Sequence, residues 1–458
     1  MGNFNLNDEF YAQKKVLHKC IFCNKYKAVK KGTRNDKARF KCQNCLRWFV
    51  AGGSLKEKDN DTEKENIFIN HLDGISYRKL AIRTKIKKTK LCKTVNELTA
   101  DIQDNFEVTN QLLNQLKYSG RHIVDGKYIP VKEIVVDELL KASGKIPKSK
   151  KRKKVVRGKV LVWGADYESH DIPHFEFGDS ENSFVFNNYF QYLKSIGYPM
   201  KSLTTDEKGE IIRAAKRHFS DCIIQLCIRH YLCKINKLLT IKNIRIKIRA
   251  KEKQIEKLFD GSESEYIPPT RFYSIKQLVK LHNEISALEF KYELLLDFQE
   301  IINLIVTASS YEIAEKRIES LNKYFWPKRK EMNFPKEHVR LVKKMIIDFE
   351  ENKEHLLNYL KYPHLNIPST TNLVEGNNSQ LELRLSSIRG FENETTAKNY
   401  INSWIVKRRF TKFTDCRKQF KKLNGKSPLE CAGADISDVQ NWIKSFRKFT
   451  KSNSPLGG

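Results

Sequence analysis

Residues 121–131, RHIVDGKYIPV, are where the chain takes on the grammar of a β-strand: β-branched and aromatic residues predominate, with one carboxylate, Asp125, among them. Downstream, KVLVWGADYESHDIPHFEFGD (159–179) reads as two further strands turning near Ser169 to Asp171, so three antiparallel strands are the simplest arrangement. SFVFNNYFQYLKSIG (183–197) then places Val185, Tyr189, Leu193 and Ile196 at helical spacing. PMKSLTTDEKG (199–209) follows as a short strand ending in Asp206, EIIRAAKRHF (210–219) as a helix, and DCIIQLCIRHYLCKI (221–235) begins as a strand around Ile223 to Cys227. The order is β-β-β-α-β-α-β.

That order, with one Asp inside the first strand and another at the end of the fourth, resembles a ribonuclease-H-like fold, in which those two strands are neighbours. Asp125 and Asp206 would then converge. Facing carboxylates repel unless a cation neutralises them, so such a pair invites Mg²⁺ or Mn²⁺. Taken singly, each has an ordinary alternative: Asp125-Gly126 is a common turn dipeptide, and Asp206 is a strand-end residue.

Charge narrows the partner. Among 458 residues, 85 Lys and Arg oppose 54 Asp and Glu, a formal +31, which favours a polyanion: nucleic acid first, an anionic membrane surface second. No stretch is a continuous apolar span, and MGNFNLNDEF lacks the layout of a signal peptide, so the expectation is a soluble, intracellular, DNA-associated protein with no membrane partner. Ten cysteines in that setting suggest metal rather than disulfides.

Four of them, Cys20, Cys23, Cys42 and Cys45, form CxxC-x18-CxxC, which lets two knuckles offer four thiolates to Zn²⁺; residues 1–52 read as a zinc ribbon, with Phe40 and Phe49 beside the second knuckle. The charged stretch GGSLKEKDNDTEKEN (52–66) marks a boundary. Residues 53–118 read as a helix-turn-helix region and linker helix: a helix through Leu72, a break at Gly74, a short helix from Tyr77 to Arg83, another from about Lys88, and an amphipathic continuation over 97–118. Lys87, Lys88, Thr89, Lys90 and Lys93 suit phosphate or base-edge contacts in a major groove, although a helical hairpin with a solvated basic face fits the same pattern. The loop KIPKSKKRKKVVRGK (145–159), with Lys151, Arg152 and Lys153, is a DNA contact, a nuclear-import signal or a solvated hairpin tip, of which DNA contact is favoured.

VDGKYI (Asp125), LTTDEKG (Asp206), CIRH (Cys227 and His230), a long helical stretch and NLVEGNNSQLELRL (Glu375), in that order, resemble a DDE transposase of the Mutator-like superfamily, including its bacterial insertion-sequence relatives, over roughly residues 120–410. The resemblance implies a multidomain α/β chain in which a ribonuclease-H-like catalytic domain (119–240 and 367–415) is interrupted by an all-helical insertion (241–366), preceded by the zinc ribbon and helix-turn-helix, and followed by a basic tail (416–458). It also implies a catalytic triad of Asp125, Asp206 and Glu375 holding two Mg²⁺ or Mn²⁺ ions, and a C-x2-H motif at Cys227 and His230. The implied substrate is double-stranded DNA, as terminal inverted repeats and target, cleaved and joined by a homodimer or larger assembly. A non-catalytic regulator, or a nuclease or recombinase on the same fold, would share much of this pattern.

Several residues carry competing readings. Asp137 and Asp166 also lie near strands and compete with Asp125. Cys227 and His230 supply two ligands only, and read as a brace for the strand end near Asp206. Trp326, in YFWPKRK, can stack on an unpaired base or simply pack. NYINSWIVKRRFTKFTDCRKQFKK (399–422) reads as a basic helix interleaved with aromatics, with Arg408 and Arg409 as backbone contacts. Asn372 and Glu375 approach a capping box. On a helix from about Leu373, however, Val374, Leu381, Leu385 and Ile388 make an apolar stripe that leaves Glu375 at the rim facing the strand aspartates, with Glu382 as its nearest competitor.

Overall fold

The computed structural model describes residues 18–20, 23, 25–34, 37–50, 60–134, 154–259, 271–331, 336–388, 390–439 and 441–448. Within these, the side chains of residues 34, 60, 132–134, 154–157, 259, 271–274, 324–331, 338 and 387 lie outside the description. The chain divides into two units, Met1–His71 and Leu72–Gly458.

The first unit carries an antiparallel sheet of β1 (His18–Lys19), β2 (Tyr26–Arg34), β3 (Lys37–Cys42) and β4 (Trp48–Val50), in that spatial order. Phe40 and Phe49 sit directly opposite each other in β3 and β4, with ring centroids 5.3 Å apart. With Cys20, Ala28 and Cys42 they form the buried cluster, too little apolar surface to hold a fold without a further cross-link. The helix α1 (Asn60–Leu72) follows.

In the second unit, Gly74 at φ +89° turns the chain. The helix α2 (Tyr77–Thr84) starts where the Ser76 hydroxyl accepts the Lys79 N–H at 3.4 Å and stops where Lys85 turns left-handed. The helix α3 (Lys88–Asp101) is apolar on the side of Leu91, Val95 and Leu98. The continuous helix expected over 97–118 is broken: Ile102 is extended, and α4 (Asn105–Leu112) restarts behind an Asp104–Glu107 capping box.

A five-stranded sheet follows, in the order β7-β6-β5-β8-β9, built from β5 (Arg121–Ile134), β6 (Lys154–Asp166), β7 (Phe175–Gly178), β8 (Ser202–Thr205) and β9 (Ile223–Leu226). The first three strands pair antiparallel; β8 joins β5, and β9 joins β8, in parallel. Gly126 is no turn residue: β5 runs straight through it, paired with Val162. The helices α5 (Ser183–Ser195) and α6 (Gly209–His218) stand between the strands as the sequence order predicts, and cover one face through Val124, Val162, Phe186, Leu203 and Ile211. Because side chains alternate, Asp125 belongs to the opposite face.

After α7 (Ile228–Leu238) come four long helices, α8 (Ile241–Phe259), α9 (Arg271–Val306), α10 (Tyr311–Glu331) and α11 (Lys336–Lys361). Ala314, Leu321, Val342, Met345, Ile346 and Phe349 are core. The helices α12 (Asn372–Ile388) and α13 (Glu394–Phe410) then return to β5 and β6, where Trp163 and Trp404 approach to 5.8 Å. Among the described residues no helix is long and apolar enough to cross a membrane.

Two expectations about the C-terminal region are corrected. The basic helix read over 399–422 ends at Phe410, where Thr411 becomes extended, and most of it is core: Tyr400, Ile401, Trp404, Ile405 and Val406 are buried. Arg409 is not a DNA contact. Its side chain is fully buried; Nε and one terminal nitrogen donate to Asp171 at 2.7 and 2.8 Å, and the other terminal nitrogen donates to Asn105 Oδ1 at 2.9 Å and Thr109 Oγ1 at 2.8 Å. Residues assigned to a basic tail also fold back, burying Leu429, Ile443 and Phe446.

His122 illustrates the polar cost of the sheet's covered face. It is fully buried between the hydroxyls of Tyr189 (2.7 Å) and Tyr198 (3.3 Å), and burial holds its imidazole down to about 3, against an ordinary value near 6.5. A histidine kept neutral in the fold but free to protonate when unfolded stabilises fully above its unfolded pKa and loses that stability as pH falls toward its folded pKa. Between about pH 7 and 5, the wild type should therefore lose about 2 kcal/mol more in urea unfolding than His122→Gln does; equal losses would show that His122 already titrates in the fold.

Candidate active site

The parallel pairing of β5 with β8 runs Arg121↔Ser202, His122↔Leu203, Ile123↔Thr204. Asp125 stands two residues further along β5, and Asp206 just past the end of β8, near enough for its charge to act on Asp125. Asp125 Oδ1 accepts the Gly126 N–H at 2.8 Å, and Oδ2 accepts the Asn378 side-chain amide at 2.9 Å; the Asn378 oxygen accepts the Trp163 indole N–H at 3.0 Å. Trp163 is the residue directly across from Asp125 in β6, so the sheet and α12 grip this carboxylate together. Burial first, then the charge of Asp206, push Asp125 up to about 6, against the opposing pull of the Gly126 N–H, His230 and Lys208. Asp206 Oδ2 lies 3.1 Å from Lys208 Nζ, which also pairs with Glu181.

Glu375 lies in the first turn of α12, and the capping box expected between it and Asn372 is replaced by a different contact. Helix α12 already includes Asn372, whose side chain accepts from Arg229 at 3.2 Å, and the hydroxyl of the preceding Thr371 donates to Glu375 Oε1 at 2.8 Å. Arg229 lies 3.1 Å from Glu375 Oε2, and His230 Nε2 lies 3.7 Å from Oε1. The competitor Glu382 is exposed and pairs with Lys127 at 2.5 Å. The remaining candidate for the first position, Asp166, is committed elsewhere: it accepts the Ser119 N–H (2.8 Å), the Ser119 hydroxyl (2.7 Å) and the Tyr198 hydroxyl (3.1 Å), which makes it a turn organiser.

Cys227 and His230 join this cluster through Thr371. Cys227 precedes α7 as its N-cap residue; its Sγ lies 3.3 Å from the Thr371 N–H and 3.2 Å from the Thr371 hydroxyl, while His230 Nδ1 lies 3.4 Å from that same hydroxyl. Burial, the largest single influence, pushes the Cys227 thiol up, but hydrogen bonds from His230 and Thr371 outweigh it and hold the thiol below its ordinary value. The Cys227 contact raises His230 to about 9 against the effect of burial, with the charges of Cys227, Glu375 and Asp125 adding to it. The donor atoms of Cys227, His230 and Glu375 lie within 4.8 Å of one another and can hold a metal ion; among the described residues Asp125, Asp206 and Glu375 form no such group. The buried Thr371 hydroxyl lies among the Cys227, His230 and Glu375 side chains and links the three.

In the first unit, Cys20 and Cys45 Sγ are 3.6 Å apart and Cys23 and Cys42 Sγ 3.7 Å. Tetrahedral thiolates on zinc, with bonds of about 2.3 Å, stand about 3.8 Å apart, so the four sulfurs can bind zinc with little movement. About one zinc per chain is expected by elemental analysis, lost in Cys42→Ser together with the ribbon's resistance to proteolysis; an intact ribbon without metal would overturn the assignment.

Lys87, Lys88, Thr89, Lys90 and Lys93 are exposed at the start of α3, with Lys93 3.7 Å from Glu97. Arg408 is half-buried, its guanidinium 4.7 Å from the Phe413 ring centre. Lys151, Arg152, Lys153, Asp137 and the Trp326 side chain lie outside the described residues. Sequence reasoning missed Thr371, Asn378, Arg229, Lys208 and Glu181. Of these, Asn378 alone had a signal, being one helical turn after Glu375 on the same side.

No family model and no curated protein matches the chain. Among solved structures it is similar to the Drosophila P element transposase strand transfer complex, at 11% identity, over 75% of this chain and 92% of that chain, with a TM-score of 0.36. A score of that size leaves the strand order and the side-chain geometry to carry the functional reading.

Proposed function

We propose that the sheet is ribonuclease-H-like and that the protein is a DDE-type DNA transposase, using Asp125, Asp206 and Glu375 to cut and join DNA strands. The observation that supports it best is the parallel pairing of β5 with β8, with Asp125 inside the one and Asp206 just past the end of the other, where the Asp206 charge acts on Asp125 and α12 brings Asn378 onto it. Two carboxylates forced together call for a cation, and their oxygens suit a hard one. Mg²⁺ or Mn²⁺ bound there would supply Lewis-acid activation of the attacking oxygen and stabilisation of the leaving one.

The chain's own residues do the rest. Asn378 and the Gly126 N–H fix the Asp125 carboxylate, Thr371 and Arg229 fix Glu375, and the Cys227–His230 pair locks the start of α7 to the start of α12. An oxygen of water, or later of a 3′-hydroxyl, attacks phosphorus while the 3′ oxygen departs, and the basic surface holds the flanking phosphates. Joining two element ends asks for a homodimer or larger assembly.

The test uses the full-length protein, Mg²⁺ and labelled duplexes from the DNA flanking its gene. Metal-dependent cleavage followed by joining supports the reading. Binding without chemistry would sink it, and cleavage without joining would favour a nuclease on the same fold. We further propose that the lysines of α3 contact the phosphates of that DNA: Lys88→Ala and Lys90→Ala should each flatten the salt dependence of binding by about 0.9 in log–log slope, and an unchanged slope would remove α3 from the interface.

A further inference from the structure

Lys208 occupies an unusual place. Its ammonium lies 3.1 Å from Asp206 Oδ2 and pairs on its other side with Glu181. Glu181 is no surface partner, since its side chain is only 10% exposed. Its carboxylate presses on the backbone of β5: a Cβ at Gly126 would collide with Glu181 Oε1. Gly126 is regular, paired strand with no positive φ, so what its lack of a side chain provides is space for the Glu181 carboxylate as it is placed here, not backbone freedom. Gly126 is also the residue next to Asp125, whose Oδ1 accepts its N–H. Two carboxylates, just past β8 and just before α5, therefore flank one ammonium whose charge also acts on Asp125 of β5, and the absence of a side chain at Gly126 leaves room for the Glu181 carboxylate.

We propose that Lys208 is a built-in counter-ion for the Asp125–Asp206 pair, displaced from Asp206 when a divalent cation arrives, and that Glu181 is the positioning residue that keeps hold of it. The proposal rests on reading the two aspartates as a cation site. Without metal, the ammonium offsets the repulsion between Asp125 and Asp206 that burial intensifies. When a divalent ion takes the Asp206 oxygens, two cations cannot share them. Lys208 then needs an acceptor within reach that is not itself a ligand, and Glu181 is already paired with it. The handover breaks one ion pair and keeps the other, so the displaced charge is never left half-buried and alone.

This predicts opposite effects from two neutralising substitutions. The readout is the Mg²⁺ concentration that gives half the maximal rise in thermal unfolding temperature of the full-length protein, with circular dichroism at low temperature as the check on folding. Lys208→Gln removes the competing cation and should lower that concentration by about three- to tenfold, whereas Lys208→Arg should stay near wild type. Glu181→Gln leaves Lys208 nothing but Asp206 to bind, and should raise it by a similar factor. In the double variant Glu181 has nothing to act through, so Lys208→Gln with Glu181→Gln should match Lys208→Gln alone. An unchanged or raised Mg²⁺ requirement in Lys208→Gln overturns the counter-ion. A Glu181 effect that persists in the double variant overturns its positioning role and makes it a ligand. If wild type shows no Mg²⁺-dependent shift that Asp206→Asn abolishes, the cation site itself fails, and this proposal with it.

Discussion

Asp206→Asn is expected to lower metal-dependent DNA cleavage by about a thousandfold or more, roughly 4 kcal/mol of transition-state stabilisation, while leaving the fold intact. The substitution keeps size and shape and removes one charge at a strand end whose backbone is already paired through Thr205 with Leu226. Its immediate consequence is local. Lys208 keeps Glu181 as a partner, and Asp125 loses the neighbouring charge that helps push it up to about 6. The unfolding midpoint without metal should therefore stay near that of wild type or rise, while its response to Mg²⁺ disappears. Cleavage by Asp206→Asn at more than a tenth of the wild-type rate would remove Asp206 from the chemistry. DNA binding by gel shift should be unaffected, because the α3 lysines lie on other elements.

Arg409→Ala is expected to be the most destabilising single change in the second unit, by about 3–5 kcal/mol, because it strands the buried Asp171 carboxylate without its counter-ion. One guanidinium ties together the β6–β7 turn, α4 and α13. Arg409→Lys should rescue little, since a lysine cannot reproduce the fork that reaches Asp171, Asn105 and Thr109 together. The double variant Asp171→Asn with Arg409→Met should be less damaged than Arg409→Ala, because no charge is then left buried and unpaired. Urea unfolding would show this order. A loss below about 1 kcal/mol would put Arg409 among ordinary surface arginines.

Arg409 also marks where sequence reading stops. It stands in VKRRF, a run that looks like a solvated basic edge, and its partner Asp171 is more than two hundred residues earlier. Only chain closure brings the two together. Glu375 was legible as a rim residue because Val374, Leu381 and Leu385 form the buried stripe beside it. Its partners were not: Arg229 and His230 come from α7, and the capping role suggested by Asn372 goes to other contacts because α12 begins one residue earlier than the sequence implied. Gly126 reads as a turn in isolation, and becomes a strand residue beneath Glu181 once the sheet forms.

The sequence by itself determined the order of strands and helices from β5 to α7, including the short strands SLTT and IIQL, because periodicity and breakers act over a few residues. It also singled out the four cysteines, whose spacing is a local property. The tertiary structure alone decided which charges are paired, which are buried and which face one another: Asp171 with Arg409, Lys208 between Asp206 and Glu181, Thr371 among Cys227, His230 and Glu375. Electrostatic partnership depends on distance in space and on burial, and neither is written in the neighbourhood of a residue along the chain.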